Sequence, residues 1–291
     1  MAIQSPGIAL AVEALFGNVK PALDIIKKLG PTDFSAEAPG VEVKPGATIQ
    51  VPLSTVSAAN VFNSETNNYF TGGDTEWASI TASHYLQGFD LKGTDIDSGV
   101  NAGRIKQLFT SRAGTGIAYA CVKAIRTALD GVTASSAVKL AAEPTLKDYN
   151  ALASDISWFD RSEAALAVNN AELAIIKSAM HSAHLSASFE SIAQELGFKD
   201  VVLVPGMTAR ACIIPYSTMG FMARVPALVA RYLEAGVETD PDSGISVGIV
   251  VADDQEHNRI IANADIWFGA LALTAPADAK KAGIIKVGTA S

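Results

Sequence analysis

The sequence predicts an α+β protein in which one long helix separates a strand-rich extension from a more compact lobe. Apolar residues recur at helical spacing over residues 99–130, and Gly131 follows as a stop signal. Short alternating apolar runs between turn signals fill residues 31–98. Residues 145–240 mix helical and strand patterns, and the remaining chain returns to strands. The fold class is therefore α+β, with parts of unequal character along the chain.

The composition indicates a chain that buries much of its surface. Of the 291 residues, 49% are hydrophobic and 18% are charged, against roughly 25% charged in a typical soluble domain. A membrane helix does not explain this, because no uncharged apolar stretch reaches the roughly 18 residues that a span needs. We therefore expect burial against other chains, with a monomer that has a large core as the alternative.

The charge and the cysteines narrow the function classes further. A net charge of −8 argues against a protein that grips nucleic acid, because phosphate binding needs a basic face. Cys121 and Cys212 stand in apolar surroundings, which favours two buried free thiols over one disulfide. The first residues carry no secretory signal pattern, so we expect folding in a reducing cytoplasm.

Residues 6–30 predict an amphipathic arm made of a broken helix. Its apolar residues recur at helical spacing, whereas Gly17 and Pro21 interrupt the middle and Gly30-Pro31 ends the pattern. Such a stripe needs a partner surface, on its own chain or on a neighbour. The extension that follows has little core of its own, and an isolated hairpin is marginal in water, so it too is expected to lie on another surface.

The sequence pattern of residues 145–240 predicts individual helices and strands. A strand is predicted at Ala164–Val168, and helices are predicted at Leu146–Trp158, Asn170–Met180 and Ser188–Leu196, the last capped by Ser188 and closed by Gly197. Val201–Val204 and Ala211–Ile214 are interpreted as a strand pair joined at Pro205-Gly206. Further along, Asp253-Asp254-Gln255 is predicted to be the turn of a hairpin.

Three clusters could carry chemistry, and each has a simpler interpretation. His181 and His184 have the spacing of two metal ligands on a helix, but no suitable third ligand follows. Gly114-Thr115-Gly116 lacks the preceding strand of a dinucleotide loop and is interpreted as a site of close helix packing or a bend. The acidic group at 253–257 is interpreted as a solvated turn. We predict no catalytic residue, no cofactor and no metal, so the chain is not expected to be an enzyme.

The order of these parts resembles the major capsid proteins of tailed bacteriophages, of the Hong Kong 97 type. Gly99–Leu129 resembles the spine helix of that family, and Val201–Arg224 resembles a strand-loop-strand of its axial domain. Residues 238–252 resemble the return to the peripheral strands. The segment 264–274, with Gly269 before small and apolar residues, resembles the closing strand.

The resemblance implies five parts. They are an N-terminal arm (1–40), an extended loop (41–98), a spine helix with part of the peripheral domain (99–144), an axial domain (145–240) and peripheral strands with the C-terminus (241–291). It also implies a structural protein of the virion that assembles in the host cytoplasm into hexamers and pentamers. The resulting icosahedral head shell would enclose DNA without sequence-specific binding. Separate scaffolding, portal and decoration proteins are possible partners.

Three alternatives stay open at this point, and one of them is a phage tail or adaptor protein, which would form rings or tubes rather than closed shells. An encapsulin-type nanocompartment shell protein would share the fold and enclose cargo protein, and a soluble oligomeric enzyme would have one well-formed polar pocket. If the chain forms a shell, the expected contacts between subunits come from the apolar stripe of the arm and the aromatic residues of the extension. The predicted contact residues are Ile8, Val12, Phe16, Phe62, Tyr69, Phe70 and Trp77.

Overall fold

The computed structural model describes most of the chain. The described residues are 6–34, 48–54, 75–92, 102–152, 161–216, 218–225, 234–239, 244–254, 256, 259–272 and 283–289. Within them, the helices are α1 (Pro6–Leu29), α2 (Ala102–Gly131), α3 (Leu146–Ala151), α4 (Asn170–Ser182) and α5 (Phe189–Leu196).

The strands of the described residues form three sheets. They are β1 (Thr32–Asp33), β2 (Thr48–Ser54), β3 (Thr75–Thr81), β4 (Ser83–Lys92), β5 (Ala134–Leu140), β6 (Ala164–Val168), β7 (Asp200–Leu203), β8 (Ala211–Pro215), β9 (Met219–Arg224), β10 (Glu234–Thr239), β11 (Ser246–Asp254), β12 (Arg259–Ala272) and β13 (Ile285–Thr289). The sheets have six, five and two strands, and the last is the hairpin of β2 and β3.

The six-stranded sheet, which we call the platform, is organised around the long strand β12. Its first half pairs with β11 and its second half with β9 on one edge, while β4 pairs along the opposite edge. Trp267 and Phe268 pair with both β4 and β9, which places those two strands on opposite sides of β12. β10 and β1 complete the sheet through β11 and β9.

Helices α1 and α2 pack on one face of the platform. α2 buries Ala113, Ile117, Cys121, Ile125 and Leu129, which recur every four residues and lie on one side of the helix. These residues share a hydrophobic core with the inward side chains of β12, namely Ala264, Ile266 and Phe268. Because side chains alternate across a strand, Asp265 and Trp267 belong to the reverse face of the platform.

The five-stranded sheet, with α3, α4 and α5, forms the second unit, which we call the lobe. Its strand order is β5-β13-β8-β6-β7, so the strand nearest the C-terminus lies between β5 and β8. All five residues of β6 are buried, as expected of a central strand covered on both faces. Two polar caps fix its helices, since Asn169 accepts from the Glu172 N–H and Ser188 accepts from the Ser191 N–H.

Several sequence predictions are confirmed in the lobe and the platform. The helix predicted over 99–130 is continuous from Ala102 to Gly131, and the strand Ala164–Val168 lies where it was expected. The helix after Ser188 ends at Gly197, which has the left-handed conformation of a C-cap. β11 and β12 form the predicted antiparallel hairpin, but the turn was predicted too early: Asp253 and Asp254 lie in β11 and pair with Ile260 and Arg259.

Three further predictions are wrong. α1 is one continuous helix through Pro21 rather than a broken one, because Val19, Ala22, Leu23 and Ile26 on both sides of the proline are buried in the core. β7 and β8 do not pair with each other, because β6 lies between them and pairs parallel with β7 and antiparallel with β8. The helix predicted at Leu146–Trp158 ends at Ala151, and residues 153–160 lie outside the described chain.

Candidate assembly surfaces

The root of the extension is anchored on the platform. Ile80 and Ala82, at the junction of β3 and β4, are fully buried. Opposite them, Gly269 of β12 lets the chain pass close by: a Cβ at this position would lie 2.6 Å from the backbone oxygen of Thr81 and 2.9 Å from Cγ2 of Ile80. This close approach explains physically why a glycine stands among the apolar residues of β12, and it fixes the direction in which the hairpin of β2 and β3 leaves the sheet.

Strand β4 also packs against α2 on the inner face. Gly116 makes room for the Gln87 side chain, whose Oε1 would lie 3.0 Å from a Cβ at position 116. The interpretation of Gly114-Thr115-Gly116 as a close-packing site is therefore confirmed at Gly116. Tyr85 is half-buried beside the same helix, and desolvation raises the pKa of its hydroxyl. The extended strand is thus held by packing on α2 and by pairing with β12.

The reverse face of the platform carries a buried carboxylate beside a histidine. Asp265 is 6% exposed, and its Oδ2 lies 3.7 Å from Nε2 of His84. The His84 ring stacks on Trp267, with ring centroids 4.6 Å apart and planes 14° apart. Oδ1 of Asp265 has no hydrogen-bond partner among the described residues. Burial raises the pKa of Asp265 to about 6, although the imidazole of the neighbouring His84 acts in the opposite direction.

The lobe holds a second buried carboxylate, and this one is fully partnered. Glu172 is 1% exposed and accepts a hydrogen bond from the Tyr149 hydroxyl. Arg210 donates from Nε to Oε2 at 2.7 Å and from Nη2 to Oε1 at 3.2 Å. Its Nη1 also donates to the Ala141 oxygen at 2.7 Å. This network ties α3, α4, the start of β8 and the chain after β5 into one rigid unit.

The lobe is joined to the end of α2 by a small set of polar contacts. Oδ1 of Asp130 accepts hydrogen bonds from the backbone N–H groups of Thr208 at 2.9 Å and Ala209 at 3.0 Å. Lys286 Nζ donates to the Asp130 backbone oxygen at 2.8 Å, where a cation complements the negative end of the helix. These bonds fix the angle between the long helix and the lobe.

Large apolar side chains are exposed at several separate places on the described surface. They are Leu86 on β4, Tyr119 on α2, Leu185 and Phe189 around the start of α5, and Val237 on β10. Near Phe189, a cleft of about 310 Å³ lies between the end of α1, helix α5 and β7. Its lining mixes Lys28, Lys199, Glu190 and Asp200 with apolar residues. A shallow, mixed lining of this kind suits a contact with another chain better than a small substrate.

The predicted contact residues stay predictions. Ile8, Val12 and Phe16 lie on α1, and Trp77 lies on β3, but their side chains are outside the described set. Phe62, Tyr69 and Phe70 lie outside the described residues altogether. The structure does answer where the second half of the arm finds its partner surface: Val19, Leu23, Ile26 and Leu29 bury against the core of their own chain.

The residues that the sequence suggested as possible chemical sites lie in the following places. His181 lies in the last turn of α4 and His184 follows it with a φ of 58°, and both are exposed. Among the described residues, no group of three His, Cys, Asp or Glu side chains could hold a metal ion. Cys121 and Cys212 are buried free thiols, as predicted, and burial raises the pKa of each to about 12. None of the described helices is long and apolar enough to cross a membrane.

Neither protein family models nor curated proteins match this sequence, whereas solved structures match its fold over nearly the whole chain. An empty GTA particle capsid aligns with a TM-score of 0.53 at 11% identity, covering 90% of this chain and 88% of that one. The capsid of Ralstonia phage GP4 gives 0.50 at 10% identity, with 90% and 87% covered. A virus-like particle from Pyrococcus furiosus gives 0.50 at 11% identity, with 95% and 97% covered.

These matches define the class of protein by its fold. A platform crossed by one long helix, an extended hairpin and a lobe at the other end form the Hong Kong 97-type capsid fold, as the sequence resemblance predicted. Two of the three matched structures are capsids, and the third is a virus-like particle.

Sequence reasoning missed the two buried carboxylates. Glu172 and Arg210 are 38 positions apart, and no local pattern links them. Asp265 did carry a signal, because it interrupts an apolar strand at a position flanked by Ala264 and Ile266. A single charged residue in such a strand is rarely fully buried without a partner, so it merits attention wherever the strand is central.

Proposed function

We propose that this chain is the major capsid protein of a tailed bacteriophage, a non-enzymatic coat subunit that self-assembles into the icosahedral shell around the phage DNA. The observation that carries this is the match in fold to two capsid structures over about nine-tenths of both chains. The virion is its final location, and assembly takes place in the host cytoplasm.

In this proposal the lobe is the axial domain and forms the contacts around the centre of hexamers and pentamers. The platform with α2 is the peripheral domain, and the hairpin of β2 and β3 is the extended loop that reaches a neighbour. The arm contributes through Ile8, Val12 and Phe16, and the extension through its aromatic residues. Two facts support this division: the lobe is internally rigid through Glu172 and Arg210, and the hairpin pairs only with itself among the described strands.

Physical reasoning also supports assembly over a monomeric role. The hairpin of β2 and β3 is joined to the platform near Ile80 and Ala82, which are fully buried, and a lone two-stranded hairpin is marginal in water. Docking on a neighbouring copy would stabilise it by mass action. Scaffolding, portal and decoration proteins are further partners that such a shell would take from separate chains.

The test is negative-stain electron microscopy of the purified chain together with sizing. We expect closed shells several tens of nanometres across, and DNA in shells made during infection. A stable dimer or tetramer in place of shells, also after co-expression of the neighbouring virion genes, would overturn the proposal and favour an oligomeric enzyme. Shells that contain a cellular protein and no genome would assign the chain to nanocompartments.

A further inference from the structure

Helix α2 carries a charge opposite to that of the whole chain. Its 30 residues contain five Lys or Arg and one Asp, a net charge of +4, in a protein whose net charge is −8. The remaining chain is therefore more acidic than the total suggests. A basic helix in an acidic protein is a local electrostatic feature that the overall charge hides.

The described basic side chains of α2 lie on the side that faces away from the core. Arg112 and Lys123 are exposed, and Tyr119 between them is 64% exposed. They are opposite the buried row formed by Ala113, Ile117 and Cys121. Eleven residues separate Arg112 from Lys123, which is about 16 Å along the helix and about 20° around it. The two cations and the tyrosine thus form one straight row, which we call the α2 row.

Asp130, the single acidic residue of α2, does not neutralise the α2 row. It lies in the last turn of the helix, seven residues after Lys123, and its carboxylate accepts hydrogen bonds from the backbone N–H groups of Thr208 and Ala209. Arg126, one turn before it, is half-buried, with Nη1 packed over Gly206. The C-terminal turn of the helix therefore serves the junction with the lobe, whereas the middle of the helix presents its positive charge to the outside.

We propose that the α2 row lines the inside of the assembled shell and contacts the phosphate backbone of the enclosed DNA. This rests on the proposed function, and it adds which face of the subunit points inward and what that face binds. Arg112 and Lys123 neutralise phosphates, and the Tyr119 hydroxyl donates a hydrogen bond to a phosphate oxygen. Contacts of this kind carry no sequence information, as an internal genome surface requires.

Each contact between the α2 row and a DNA phosphate is weak on its own. Two cations per subunit give little affinity alone, but a shell presents many copies, and their contacts add through multivalency. The acidic remainder of the chain repels DNA elsewhere, so the genome is guided to this surface without being held tightly. The salt sensitivity of such a surface follows from counterion release.

The first experiment measures binding of the unassembled chain to a fluorescein-labelled 30-base-pair random-sequence duplex from 25 to 200 mM salt. The test variant is the double substitution Arg112→Glu and Lys123→Glu, where glutamate preserves helix propensity. Its matched control is Lys139→Glu and Lys147→Glu, because these exposed lysines of the lobe give the same change in total charge.

We expect the test variant to lower the slope of log K against log salt by about 2 and to weaken binding at least tenfold at low salt. The control should change either quantity much less. Equal losses in both variants, or no binding by the unchanged chain at 25 mM salt, would overturn the proposal. This assay does not depend on shell formation, so it fails separately from the proposed function.

The second experiment tests orientation in intact shells with the variant Tyr119→Cys. The native Cys121 and Cys212 are buried, so the new thiol is the reactive one among the described cysteines. We expect a small maleimide to label it in closed shells and a 5-kDa polyethylene-glycol maleimide to label it after disassembly alone. Labelling of closed shells by the large reagent, or by neither, overturns the lumenal placement. Loss of a co-packaged acidic protein from shells of the double variant, with DNA binding unchanged, would assign the α2 row to that protein instead.

Discussion

Among the described residues, the lobe and the platform each bury one carboxylate, and the two carboxylates differ in their hydrogen-bond partners. In the lobe, Glu172 receives hydrogen bonds from Tyr149 and from two nitrogens of Arg210. In the platform, Asp265 has an imidazole at 3.7 Å from one oxygen and no described partner on the other. Both side chains are almost inaccessible to water, so the difference lies in partners rather than in exposure.

The contrast indicates different mechanical roles for the two units. A fully satisfied buried network defines one arrangement of its elements and resists deformation. A buried carboxylate with an unpaired oxygen raises the free energy of the folded state, so the platform is less well stabilised at Asp265 than the lobe is at Glu172.

The largest expected effect comes from breaking the lobe network with Arg210→Met. The substitution leaves Glu172 buried without its cation, which typically costs about 3–5 kcal/mol. We expect the free energy of unfolding to fall by about 3 kcal/mol, at the lower end of this range, because the Arg210 side chain is 20% exposed and water can partly replace it. Urea unfolding of the unassembled chain, followed by circular dichroism, measures this.

The control for that substitution removes the carboxylate as well. The double variant Glu172→Gln and Arg210→Met should recover more than half of the lost stability, since an uncharged amide is easier to bury. A loss below 1 kcal/mol for Arg210→Met alone would show that the network contributes little and would remove one side of the comparison.

A smaller effect is expected on the platform from Gly269→Ala. The new Cβ would lie 2.6 Å from the Thr81 oxygen, which is backbone and cannot rotate away, so β3 or β12 has to shift. Overpacking of this kind costs about 1–3 kcal/mol. The control Gly17→Ala, in a helix with open space around it, should be neutral or stabilise by up to about 1 kcal/mol. Thermal unfolding compares the two, and similar melting temperatures would contradict the close approach.

Sequence periodicity predicted elements whose determinants are local. The helix after Ser188 has its cap, apolar stripe and Gly197 within ten residues, and the long helix has a four-residue apolar repeat from Ala113 to Leu129. The order of these parts was enough to predict the capsid fold. The prediction that Pro21 breaks the first helix was wrong, because burial of the flanking residues outweighs the lost helix hydrogen bond.

Long-range pairing was less accessible from sequence. The turn at Pro205-Gly206 indicated a hairpin, but β6 inserts between β7 and β8, and insertion of a strand from 30 or more positions earlier leaves no local trace. The same holds for the bond between Glu172 and Arg210. The basic face of α2 was hidden for a different reason, because the overall negative charge of the chain masked a helix of opposite sign.

The smallest predicted effect is the one that depends on pH. The pKa of Asp265 is raised to about 6 from 3.8, so the folded state binds the proton more tightly than the unfolded state. The stabilisation from this proton is present below pH 4 and is lost as the pH rises through 6. Asp265→Asn removes the charge permanently, and we expect a gain of about 1–2 kcal/mol at pH 8 and none at pH 4, less than the roughly 3 kcal/mol that such a shift converts to, because the site relaxes.

The control is Asp148→Asn, because the pKa of this exposed carboxyl is lowered by hydrogen bonds from Thr145. Its contribution has the opposite sign: it is present above the unfolded pKa and lost as the pH falls, so this variant should be less stable at pH 8 and unchanged at pH 2. Unfolding curves at pH 4, 6 and 8 for Asp265→Asn, and at pH 2 and 8 for Asp148→Asn, separate the two variants. A gain from Asp265→Asn that is equal at all three values would mean that folding does not raise the pKa of Asp265, and the contrast with Glu172 would then rest on geometry alone.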